Sequence, residues 1–164
     1  MKYAVVYSSQ TGNTKMLAET IRDTLPMSGC VYFGAPDAQA LEADRIYVGF
    51  WSDKGTCDEQ TAAFLKTVTD QEIFLFGTAG FGENQAYFDK VLGRAAKFLP
   101  ESAKRAGSFM CQGKMPISVR QRYEKLAADP EQAAKVQMLI ENFDRALSHP
   151  NEDDLEALKK ALEA

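Results

Sequence analysis

A run of hydroxyl, amide and glycine residues, Ser8-Ser9-Gln10-Thr11-Gly12-Asn13-Thr14, stands near the start of this chain. Its short side chains donate hydrogen bonds, and Gly12 lets the backbone approach a ligand closely. At the N-terminus of a helix, where free N–H groups and the positive end of the dipole converge, such a loop suits a phosphate. No Lys or Arg lies within it, so dipoles rather than a full charge would neutralise the anion. The plainer alternative is an ordinary helix cap on a solvated polar turn. Neither G-x-x-x-x-G-K-[ST] nor G-x-G-x-x-G is present here, which excludes two other phosphate loops.

The elements that must hold this loop are legible on both sides. Tyr3-Ala4-Val5-Val6-Tyr7 is apolar, β-branched and aromatic, the pattern of a buried strand. Leu17, Ile21 and Leu25 recur four apart and end at Pro26, which predicts an amphipathic helix. Within this strand-loop-helix unit, Ser9-Gln10-Thr11-Gly12-Asn13-Thr14 resembles the [ST]-x-T-G-x-T phosphate loop of flavodoxins, and the likeness continues into Ala18-Glu19-Thr20-Ile21. The resemblance implies that Ser9 to Thr14 wrap the terminal phosphate of FMN.

Alternating strands and helices continue along the chain. Cys30–Phe33 predicts a second strand, broken by Gly34-Ala35-Pro36-Asp37; Arg45–Phe50, Ile73–Phe76 and Gly107–Cys111 predict three more. Thr56-Cys57-Asp58-Glu59 reads as a capping box with Thr56 at the N-cap of a helix bearing Phe64, Leu65 and Val68. Further helices are expected over Phe88 to Leu99, around Val119, Tyr123 and Leu126, and from Asp129-Pro130 through Leu147. The expected fold is α/β, a doubly wound parallel sheet of five strands in the order 2-1-3-4-5 with helices on both faces. One domain spans residues 1–150, and residues 151–164 form a tail with a marginal helix.

Such a sheet brings the loops after strands one, three and four to one crevice. A flavin ring needs aromatic faces to stack on and backbone groups for its polar edges. The second loop, Phe50-Trp51-Ser52-Asp53-Lys54-Gly55, carries the single Trp, and the third, Thr78-Ala79-Gly80-Phe81-Gly82, is glycine-rich. The resemblance implies that these loops flank the isoalloxazine, with Trp51 on one face and Phe81 or Tyr87 on the other. Two departures from the family pattern stand out. Ser52 occupies the position where the family commonly has glycine, and the loop after strand four lacks the usual Gly-Asp pair. Lys54 is either a solvated loop charge or a cation beside the flavin edge, where it would favour the reduced anion. Cys57, read in the first turn of a helix, is either a thiol activated by the dipole or a structural cysteine.

Composition limits the alternatives. The 164 residues carry a formal charge of −4, which argues against nucleic acid and is compatible with basic redox partners. No stretch has signal-peptide or membrane-spanning character, and three widely spaced cysteines with no C-x-x-C point to a reducing cytoplasm rather than disulfides or zinc. A lone histidine, His149, gives a metal site or a serine–histidine triad little to build on. Ser8-Ser9 stand where a phospho-receiver needs acids, and no cysteine has an arginine six residues on, as a low-mass phosphatase requires. The expectation is a monomeric electron carrier passing electrons from a reductase to an acceptor oxidoreductase. The alternative is an FMN-dependent NAD(P)H or quinone reductase, against which little sequence between strand four and its helix, or after strand five, is available for a substrate pocket.

Overall fold

The computed structural model describes residues 1–82 and 84–163. The first strand, β1 (Tyr3–Tyr7), lies between β2 (Cys30–Gly34) and β3 (Arg45–Asp53); β5 (Glu72–Ala79) and β6 (Lys104–Gln112) extend the sheet beyond β3. All neighbours on this path, β2-β1-β3-β5-β6, are parallel. This is the expected order once a short extra strand, β4 (Thr56–Cys57), is set aside.

β4 corrects the reading of Thr56. β3 runs three residues past Phe50, turns at Lys54-Gly55 and pairs back antiparallel, Ser52 with Cys57 and Asp53 with Thr56. The cap of α2 (Glu59–Leu65) is therefore Asp58, whose carboxylate accepts from the Thr61 N–H at 3.2 Å and the Thr61 hydroxyl at 2.8 Å. Strand pairing takes Thr56 out of reach of the helix.

Helices cover both faces. α2 and α3 (Gln85–Ala96) bury Phe64, Leu65, Phe88, Val91 and Leu92 against Val6, Val48, Phe50 and Leu75. On the opposite face α1 (Asn13–Thr24) and α6 (Glu152–Glu163) bury Leu17, Ile21 and Leu158 against Val5, Phe74 and Phe76. The C-terminal helix thus docks through a fully buried Leu158.

Between β6 and α6 stands a helical hairpin, α4 (Ile117–Leu126) and α5 (Ala133–Ala146), with its own core of Tyr123, Val136 and Phe143. Asp129 does not cap α5. Its carboxylate accepts from the Glu131 N–H at 3.0 Å in the turn, and the helix begins at Ala133. The chain after β6 thus forms the two helices expected around Tyr123 and through Leu147.

Candidate functional site

Three loops meet at the carboxyl ends of β1, β3 and β5. In the first, Gly12 precedes α1 with φ +90°, and its own position is open, so the backbone conformation rather than space calls for glycine. The chain then turns so that two backbone N–H groups, of Gly12 and Lys15, point at one atom, the Ser9 Oγ, at 3.1 and 3.4 Å. This hydroxyl oxygen stands at the start of a 12-residue helix with no side-chain cap, the kind of position that suits an anion.

The other side chains of this loop face neighbouring segments. Thr14, only 1% exposed, donates to the Phe50 carbonyl at 3.0 Å and lies 3.3 Å from the Thr78 hydroxyl. Asn13 donates Nδ2 to the Lys114 carbonyl at 2.8 Å, and Thr11 reaches the same carbonyl at 3.4 Å. Gln10 is exposed. The hollow is therefore built from Ser9 and backbone N–H groups, while Thr11, Asn13 and Thr14 hold the loop in place. The Lys114 carbonyl was not legible as a functional group, because a backbone acceptor leaves no signature in the residue type.

The second loop is the β3–β4 hairpin. Lys54 and Gly55 both have positive φ, 54° and 82°, the mark of a type I′ turn. Arg94 of α3 donates from Nη1 to the Gly55 carbonyl at 3.1 Å and ties the turn to the body of the protein. Trp51, Ser52 and Asp53 are half-buried, and Lys54 is exposed. Trp51 and Asp53 share a cleft of about 370 Å³ with Ser9, Gln10, Asp58 and Glu59, so the first two loops do converge. Phe50 is different: its side chain is fully buried in the core, and only its carbonyl reaches the first loop.

In the third segment Thr78 and Ala79 still belong to β5 and are buried. The Gly80 carbonyl accepts two side-chain amides, from Gln112 at 2.9 Å and Asn142 at 3.0 Å. A Cβ on Gly80 would stand 2.5 Å from the Met115 Sδ, and one on Gly82 2.2 Å from the Phe88 ring. Backbone and aromatic packing thus hold this loop at both glycines. Phe81 between them is 43% exposed, whereas Tyr87 is half-buried beside Phe88.

Cys57 is buried in β4 rather than at a helix start. Burial, with Asp58 second, pushes its thiol up to about 11, the opposite of dipole activation. Burial pushes the Cys111 thiol up as well. Among the described residues no cluster of His, Cys, Asp and Glu could hold a metal ion, and no helix is long and apolar enough to cross a membrane.

Comparison with known proteins agrees with this architecture. The chain is 43% identical over 179 residues to the flavodoxin-like domain-containing protein BilS of Clostridium symbiosum (strain WAL-14163), covering 99% of this chain and 94% of that protein. Among solved structures it resembles a short-chain flavodoxin associated with a non-canonical PDU bacterial microcompartment, with TM-score 0.61, 18% identity and coverage of 99% and 95%. It also resembles a Fusobacterium nucleatum flavodoxin mutant bound to flavin mononucleotide, with TM-score 0.51, 13% identity and coverage of 70% and 77%. The model of the flavodoxin domain family matches residues 4–163, and the chain belongs to that family.

Proposed function

We propose that this protein binds FMN in the cleft between its first two loops and carries electrons from a reductase to an acceptor oxidoreductase. The observation that carries the reading is the convergence of the Gly12 and Lys15 N–H groups on Ser9 Oγ, beside a cleft that contains Trp51. The loop Ser9 to Thr14 would receive the phosphate. Trp51 offers an aromatic face to the ring, and the hairpin from Ser52 to Gly55 offers backbone groups to its edge. The segment Thr78 to Gly82 closes the other side, with Phe81 exposed for stacking or for contact with a partner. When bound, the isoalloxazine supplies the electron-transfer chemistry.

The chain's contribution beyond binding is electrostatic. Three carboxylates, Asp53, Asp58 and Glu59, line the cleft. Their charge is negative, which disfavours added negative charge on the ring and lowers its potential. A monomer acting in the cytoplasm fits the negative net charge and the unpaired cysteines.

One observation favours a second reading. The α4–α5 hairpin, tied to the flavin-side loop through Asn142 and Gly80, gives the chain material from which a substrate pocket of an FMN-dependent reductase could be built. The test is the visible spectrum of freshly purified protein, followed by release of the chromophore on denaturation and anaerobic reductive titration. Two flavin bands and released FMN are expected. A colourless protein that does not retain added FMN overturns the reading. Steady oxidation of NAD(P)H with a quinone and no added reductase favours the enzyme over the carrier.

A further inference from the structure

Lys114 joins two distant parts of the chain through its backbone. Its N–H donates to the His149 carbonyl at 3.0 Å, and its carbonyl receives Asn13 Nδ2 at 2.8 Å and the Thr11 hydroxyl at 3.4 Å. His149 is itself held: its N–H donates to the Ala146 carbonyl at 3.0 Å, and its Nδ1 lies 2.6 Å from Asp154 Oδ2. The same carboxylate oxygen accepts from the Asn151 N–H at 2.8 Å, and Asn151 Oδ1 accepts from the Asp154 N–H at 3.0 Å. This reciprocal pair is a capping box at the start of α6. α6 in turn is anchored by Leu158, fully buried in the cluster that contains Leu17 and Ile21 of α1.

We infer that residues 149–154 position the phosphate loop, by holding the Lys114 peptide that keeps the side chain of Asn13 turned away from the hollow. This rests on the FMN reading above. Asn13 is 6% exposed, and its amide packs so closely that a Cβ on Gly113 would stand 2.4 Å from its Nδ2. Asn readily turns to bond backbone N–H groups at the start of a helix. Without the Lys114 acceptor it would compete with the phosphate for those groups. Held on Lys114, it leaves them to the Ser9 hydroxyl, which gives them up to a phosphate by turning from acceptor to donor, so the site needs little rearrangement when the ligand arrives.

The measurement is the dissociation constant of the apoprotein for FMN and for riboflavin, which lacks the phosphate. Wild type, Asp154→Ala, Asp154→Asn, Asn13→Ala and the Asp154→Ala/Asn13→Ala double variant are compared, with folding checked by thermal unfolding. Asp154→Ala is expected to weaken FMN about tenfold and leave riboflavin within about twofold. Asp154→Asn, which keeps an acceptor oxygen, recovers most of the loss. The double variant binds FMN no more weakly than Asn13→Ala, because both act through one contact. Unchanged FMN affinity in Asp154→Ala, equal losses for both flavins, or additive losses would each overturn the inference. Amide exchange from Gly12 to Lys15 in the apoprotein reads the same positioning with no flavin. Faster exchange in Asp154→Ala is expected, and unchanged exchange overturns the inference even if wild type binds neither flavin, the outcome that sinks the FMN reading itself.

Discussion

The ring of Phe50 fills the space above Gly77: a Cβ on that glycine would stand 2.6 Å from the ring. The two residues are registered partners on β3 and β5, and the preceding pair, Gly49 and Phe76, repeats the arrangement in reverse at 2.3 Å. Each strand lends an aromatic ring to the glycine of the other, one ring on each face of the sheet. This exchange forms the floor on which the loops after β3 and β5 stand.

Gly77→Ala is therefore expected to destabilise the protein by about 1–3 kcal/mol through overpacking. The check is the urea midpoint. A change below about 0.5 kcal/mol would show that Phe50 has room to move.

Ser9→Ala removes the hydroxyl that accepts from the Gly12 and Lys15 N–H groups and that would donate to a bound phosphate. FMN affinity should fall about tenfold, the scale of one hydrogen bond to a charged group, and riboflavin affinity should not follow. Titration of apoprotein fluorescence with each flavin decides it. Parallel losses would place Ser9 outside the phosphate contact.

Lys54 occupies the left-handed region at φ +54°, which costs Lys more than it costs Asn, whose short amide can bond the local backbone. Lys54→Asn should stabilise the hairpin by about 1 kcal/mol, since Asn-Gly is the preferred pair for this turn. A lower midpoint of thermal unfolding in the variant would contradict that account.

Cys57 sets a sign for the response to alkali. Its thiol, pushed up to about 11, keeps its proton in the folded protein over a range where the unfolded chain has lost it. Stability due to this group is complete below about pH 9 and is lost as pH rises towards about 11. The urea midpoint of wild type should thus decline more steeply over that window than that of Cys57→Ala. Equal slopes would remove Cys57 from the explanation.

The order of the parallel sheet was implied by the flavodoxin-like loop pattern; the sequence by itself determined the strand–loop–helix unit from Tyr3 to Leu25 and the alternation of strands and helices. Each rests on spacing within one segment: apolar runs for buried strands, four-residue recurrence for helices, Gly12 beside hydroxyls for the loop. Local spacing misled where two segments compete for the same residues. Thr56 has the letters of a cap, yet pairing with Asp53 made it a strand, and Asp58 took the helix. Phe50 adjoins the site in sequence, but strand alternation turned its ring into the core. Only the tertiary structure decided that Lys114, about a hundred residues away, supports Asn13, and that the His149 carbonyl, just ahead of the C-terminal helix, holds Lys114 in turn. Those contacts are made by backbone groups, which every residue type shares, so no pattern of side chains could announce them.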